Sequence, residues 1–198
     1  MHPRFFMQMK RQVPLLFATL FLPGMAGAAS DAQLIVQMNR VTDAGVTEPL
    51  GEILIVDVAH GVELRPALTG LAPGQHGFHV HEFGSCDPGI DESGKAVAAH
   101  SAGEHYDPDG ADQHGSPLAN DGHKGDLPIL NVGADGRATI VMQASRLRID
   151  DLAGRALIIH AGGDNFTDVP PNGGGGARVA CGVIPGQPEA LPLPQSAQ

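Results

Sequence analysis

The apolar residues of this chain come in short runs rich in branched side chains, each cut off by Gly, Pro, Asp or Thr, a rhythm that points to strands rather than helices. Leu34 to Asn39, Glu52 to Asp57 and Val62 to Leu68 read as strands. Gly74 to His81, Ile129 to Val132, Arg137 to Met142, Arg155 to His160 and Arg178 to Ile184 continue the series, and Gly133-Ala-Asp-Gly136 between two of them reads as a hairpin turn. No segment carries a convincing amphipathic helix. With 27 Gly and 16 Pro in 198 residues, an all-β sandwich or barrel of about eight antiparallel strands is expected, in one domain. Two stretches break the rhythm: Phe83 to Pro128, and Ala161 to Ala177 with its run of four glycines. Loops this long in a compact domain are functional or disordered. His100, His105, His114 and His123 favour function for the first.

Before the first strand, Arg4, Lys10 and Arg11 precede the apolar run Val13 to Leu22, Pro23-Gly24 and the small residues Ala26 to Ala29. That order is a secretory leader, too short in its apolar part to span a membrane, which takes roughly 20 residues. Cleavage after Ala28 is expected, giving an exported chain without a membrane anchor, a domain over 29–185 and a Pro-rich tail over 186–198 that reads as disordered. Losing three basic residues and no acidic one takes the formal charge from −10 to −13. Such acidity, without clustered Lys and Arg, excludes a nucleic-acid partner. Cys86 and Cys181 can be bonded, free or metal-bound, and an oxidising compartment favours the bond.

Period-two geometry puts His79 and His81 on one face of a strand, where they can share a metal or simply sit at a surface. His105, His114, His123 and Asp126, imidazoles closed by a carboxylate in one loop, have the donor set of a tetrahedral zinc site, a solvated polar loop being the bland reading. His160 ends an apolar strand and suits either a ligand or a core histidine.

Gly77-Phe-His-Val-His-Glu-Phe-Gly-Ser-Cys86, Ala102-Gly-Glu-His-Tyr-Asp-Pro108, His123-Lys-Gly-Asp126 and Gly173-Gly-Gly-Gly-Ala-Arg-Val-Ala-Cys-Gly-Val183 come in the order found in copper/zinc superoxide dismutases. The chain resembles that family from about Gln33 to Ile184, and the short His81 to Cys86 segment resembles its bacterial periplasmic branch. The resemblance implies an eight-stranded Greek-key barrel with two long functional loops. It also implies copper on His79, His81, His105 and His160, and zinc on His105, His114, His123 and Asp126, with the His105 imidazolate shared. Asp164 matches a carboxylate that bonds a copper ligand and a zinc ligand at once, though a turn aspartate would look the same. Arg178 matches the arginine that attracts superoxide, and Cys86 and Cys181 match the family disulfide. The implied activity is dismutation of superoxide to dioxygen and hydrogen peroxide, copper cycling between Cu(II) and Cu(I) while zinc is structural and electrostatic.

Two features depart from the pattern. Glu104 stands before the bridging histidine where Pro or Gly is more usual, and the 161–177 loop has no Lys, so Lys124 is the one further candidate for steering the substrate. His60, His76 and His100 match no ligand and are expected at the surface. The rival reading is an exported copper or zinc carrier without turnover, which would need neither Arg178 nor a histidine shared between two ligand sets. Monomer and homodimer both remain open.

Overall fold

The computed structural model describes residues 32–186, so the expected leader and all but the first residue of the tail lie outside it. Eleven strands form: β1 (Gln33–Thr42), β2 (Gly45–Val58), β3 (Gly61–Leu68), β4 (Gly74–His76), β5 (Phe78–His81), β6 (Gly89–Ile90), β7 (Ala96–Val97), β8 (Leu130–Val132), β9 (Met142–Ala144), β10 (Ala156–His160) and β11 (Arg178–Val183). One short helix, α1 (Ile149–Leu152), and two 3-10 turns complete the described elements. Seven strands make one antiparallel sheet in the order β5-β10-β11-β1-β2-β3-β9, and β4-β8 and β6-β7 form two-stranded ribbons. The sheet curls into the barrel expected of an all-β chain.

Alternation along the strands explains the curl. Leu34, Val36 and Met38 of β1, Ile53 and Ile55 of β2, and Leu64 and Leu68 of β3 point inward and are essentially fully buried, with Phe78, Val80, Leu157 and Ile159 from the other end of the sheet. Each such side chain contributes about 1.5–3 kcal/mol by leaving water. Register shifts in β1 between Met38 and Val41 break the alternation. Val41 consequently joins a second, smaller cluster with Ala156, Ile158 and Cys181 on the other side of the wall. That second layer is where the long loops pack.

β2 starts at Gly45, seven residues before the expected Glu52, and two expected strands do not form as read. Gly74 to His81 is not one strand: β4 pairs with β8, whereas β5 pairs with β10. The chain changes sheets at Gly77, whose N–H donates to Gly162 and whose carbonyl accepts from His160 N–H. Arg137 to Met142 does not form a strand either; Ala138 makes an isolated bridge to Leu68, Ile140 and Val141 are exposed, and β9 begins only at Met142. The turn at Gly133–Gly136 does form, with Gly133 N–H donating to Arg137. The Phe83 to Pro128 stretch also holds the small β6-β7 ribbon.

Candidate metal centre

β5 carries Phe-His-Val-His with all four residues buried. Phe78 and Val80 enter the barrel core, while His79 and His81 face outward beneath the loops. β10 lies beside it with Ile158 opposite His79, and its last residue, His160, donates its N–H to Gly77. The bridging segment enters through an isolated pairing of His105 with His81, and Asp126 pairs likewise with His79. Two adjacent strands therefore fix three histidines, and two backbone pairings hold the ends of an irregular loop against them.

His79, His81, His105 and His160 bring one ring nitrogen each within 4.8 Å of the others. The tautomers are set from behind. His79 Nε2–H donates to Asp164 Oδ2 (2.7 Å), His81 Nδ1–H to the Gly103 carbonyl (2.9 Å) and His160 Nδ1–H to the Gly176 carbonyl (3.0 Å). His79 Nδ1, His81 Nε2, His105 Nε2 and His160 Nε2 are the atoms left over, buried and without a protein partner. Burial, helped by the neighbouring rings, pushes His79 and His81 well below the ordinary imidazole range and His160 down to about 4. Burial also lowers His105, against the pull of Asp126. Neutral imidazoles with converging lone pairs are what a metal ligand set requires, and four nitrogens suit Cu(II).

The second set is built on Asp126. Its Oδ1 lies 3.0 Å from His105 Nδ1, 3.0 Å from His114 Nδ1 and 3.5 Å from His123 Nδ1. The His114 and His123 nitrogens are buried and outside hydrogen-bond geometry. Burial alone would raise the Asp126 carboxyl, but the three imidazoles hold it far below the usual carboxylate range. His114 responds in the opposite direction: against its burial, Asp126 and Asp164 push it up to about 9. The quartet on this side whose ligand atoms lie within 4.8 Å of one another is His79, His105, His114 and Asp126; the expected His123 is not in it, although its Nδ1 is 3.5 Å from Asp126 Oδ1. His79 counts there because its ring stacks on His105 at 3.9 Å, although its Nε2 is already engaged by Asp164. Three imidazoles and a carboxylate fit zinc.

Asp164, its side chain 1% exposed, joins the two sets. Oδ2 accepts from His79, Oδ1 accepts from His114 Nε2–H (2.8 Å) and from the Phe166 backbone N–H (2.7 Å). The glycine run explains how the loop comes so close. A Cβ on Gly173, whose φ is +71°, would collide with Asp164 and sit 2.7 Å from His114 Nε2; one on Gly175 would sit 3.0 Å from the His160 Cβ. Only glycine lets this backbone lie against Asp164 and His114 at position 173.

Arg178 faces His160 across the β10–β11 pair. Its two terminal nitrogens donate to the Ala99 and Gly103 carbonyls, each at 2.7 Å. Gly103 O thereby serves both His81 and Arg178. The Cys86–Cys181 disulfide joins the loop that supplies those carbonyls to β11, three residues beyond Arg178. Burial lowers the guanidinium somewhat while nearby Glu104 raises it again, and Arg178 stays a cation.

Three residues sit differently from expectation, or were not singled out. Lys124 is paired with Asp151 at 2.8 Å, so its charge is not free for steering. His60 and His100 are exposed as expected, but His76 is buried, its Nδ1 2.6 Å from the His160 carbonyl and its Nε2 2.8 Å from that of Ala72. Nothing local in the sequence separates it from a surface histidine. Arg146, which donates to the Gly122 and His123 carbonyls, was equally invisible.

A family model described as copper/zinc superoxide dismutase matches residues 50–184. Superoxide dismutase [Cu-Zn] of Photobacterium leiognathi is 46% identical over 177 residues, covering 89% of this chain and 99% of the relative. The Escherichia coli K12 protein of the same name is 47% identical over 178 residues, with the same coverage. Among solved structures, the Cu/Zn superoxide dismutase from Brucella abortus superimposes with a TM-score of 0.74 at 42% identity, covering 77% of this chain and 99% of the other. The monomeric copper, zinc enzyme from Salmonella enterica gives 0.69 at 48%, with the same coverage. Barrel, histidine clusters and relatives agree: the chain belongs to the copper/zinc superoxide dismutase family.

Proposed function

We propose that His79, His81, His105 and His160 hold copper and that His105, His114, His123 and Asp126 hold zinc, in an enzyme that converts two superoxide anions and two protons to dioxygen and hydrogen peroxide. The observation that carries this is the set of four buried nitrogens without partners, each on a ring whose other nitrogen is already engaged. His123 is preferred to His79 on the zinc side, because His79 turns Nε2 to Asp164 and has only Nδ1 to give, which the copper quartet uses. When bound, copper supplies the one-electron couple that oxidises one superoxide and reduces the next, and zinc supplies fixed positive charge without redox chemistry.

The chain's own residues do the rest. His105 offers Nδ1 to one set and Nε2 to the other, so Nε2 is the atom where a proton can be held for the peroxide product. Arg178 uses two of its five N–H groups on Ala99 and Gly103, leaving the others and its charge for the anion. That local charge has to overcome a negative chain, by the field focusing for which superoxide dismutase is a standard illustration. Glu104 works against it.

Export to the periplasm belongs to the same proposal, with residues 1–28 as leader, 29–185 as the enzyme and 186–198 as tail. Its support is the basic, apolar, small order of the first residues and a disulfide suited to an oxidising compartment. Among the described residues no helix is long and apolar enough to cross a membrane. Titration of the metal-free protein with copper and zinc salts tests the ligand assignment. One equivalent of each is expected, and His114→Ala should lose zinc while keeping copper; an undiminished zinc affinity in that variant contradicts it.

A further inference from the structure

The zinc side poses a problem that the copper side does not. His79, His81 and His160 sit on strands, but His114, His123 and Asp126 lie on a segment without regular structure. A ligand set on such a loop forms only when its backbone is fixed, and ordering each residue costs roughly 1–2 kcal/mol. The carboxylates account for part of the fixing. Asp164 bonds the His114 ring, and both oxygens of Asp168 accept from the His114 backbone N–H at 3.1 Å. His123 has no such carboxylate behind its backbone.

Its N–H donates to the Gln113 carbonyl at 3.1 Å and its carbonyl accepts from Asp126 N–H at 3.2 Å, and the one side chain among the described residues that joins them is Arg146. This residue lies between β9 and α1, flanked by buried Ala144, Leu147 and Ile149, so the barrel sets its position. Nη1 donates to the Gly122 carbonyl at 3.0 Å and Nη2 to the His123 carbonyl. Among the described residues it is in no salt bridge, so its charge is directed at those two oxygens. A planar fork spanning adjacent carbonyls fixes the two peptide planes on either side of the His123 Cα, which a flexible ammonium cannot do. Fixing both planes fixes the φ and ψ from which the His123 ring projects.

We propose that Arg146 is a positioning residue for zinc: by clamping the Gly122 and His123 carbonyls it places His123 Nδ1 beside Asp126 Oδ1, and it governs zinc affinity without touching the metal or the copper set. This rests on the assignment of His123 to zinc. Contacts that orient ligands from outside typically account for about 10- to 100-fold in metal affinity. Because Arg146 has no carboxylate partner, replacing it strands no buried anion.

The experiment compares the parent with Arg146→Gln and Arg146→Lys, each titrated with zinc against a chelator, with Co(II) as a spectroscopic probe of the zinc position, and with copper. The parent is expected to bind both metals; if it takes up no zinc, the metal assignment itself has failed, separately from this proposal. In both variants zinc affinity is expected to fall about 10- to 100-fold and the Co(II) bands to lose their parental shape, with copper affinity and the thermal midpoint of the metal-free protein near parental. Unchanged zinc affinity in Arg146→Gln overturns the proposal. So does full recovery in Arg146→Lys, which would make charge rather than the fork responsible, and so does a parallel loss of copper, zinc and thermal stability.

Discussion

Arg178→Ala is expected to lower kcat/KM for superoxide by about 10- to 100-fold with copper and zinc still bound, since focused local charge raises anion encounter by about 10- to 1000-fold. The guanidinium lies opposite His160, a proposed copper ligand, and is fixed by Ala99 and Gly103 in a chain whose overall charge repels the substrate. Two companions fix the sign. Arg178→Lys should retain part of the rate, because a charge remains but the two-carbonyl clamp is lost. Glu104→Gln should be faster than the parent at low salt, since it removes the carboxylate that opposes Arg178, and the gain should fade as salt screens exposed charge. Pulse-radiolysis rates across ionic strength read all three. Equal rates for the parent and Arg178→Ala would remove Arg178 from the mechanism.

The second large effect is expected at Asp164. In Asp164→Ala, His79 Nε2–H and His114 Nε2–H lose their acceptor inside the protein, each unpaired group costing about 1–3 kcal/mol. Both rings are then free to turn or to change tautomer, so copper and zinc affinities should each drop about 10- to 100-fold, and together. The joint loss distinguishes Asp164 from Arg146, whose replacement should touch zinc alone. Asp164→Asn keeps one acceptor oxygen and sets an NH2 against the other ring, so it should spare one metal more than the other. Competition titrations with both metals decide; affinities within twofold of the parent would leave Asp164 a mere turn residue.

Where the sequence was legible, a local pattern carried the information. Phe-His-Val-His alternates two core side chains with two histidines, so any inward-facing strand there had to turn both imidazoles outward. The glycines at 173–176 were legible as a loop, but the reason for Gly173 was not, because it lies in the Asp164 and His114 atoms a Cβ would strike. Gly74 to His81 reads as continuous because a single Gly also occurs inside strands; the change of partner at Gly77 is a tertiary event, set by Gly162 and His160. Arg137 to Met142 shows the reverse, a strand-like composition with Ile140 and Val141 in water. His76 and Arg146 escaped for one shared reason: each bonds main-chain carbonyls far away in sequence, of His160 in one case and of Gly122 and His123 in the other, and a carbonyl leaves no mark on residue type.

The most direct test is superoxide consumption by the protein carrying one copper and one zinc per chain, beside the same protein carrying zinc alone and a loaded His105→Ala variant. Rapid disappearance of superoxide is expected with both metals, none above the uncatalysed rate with zinc alone, and a marked fall in His105→Ala. A fully loaded parent that leaves superoxide to decay at its uncatalysed rate would contradict the dismutase reading and favour an exported metal carrier on the same barrel.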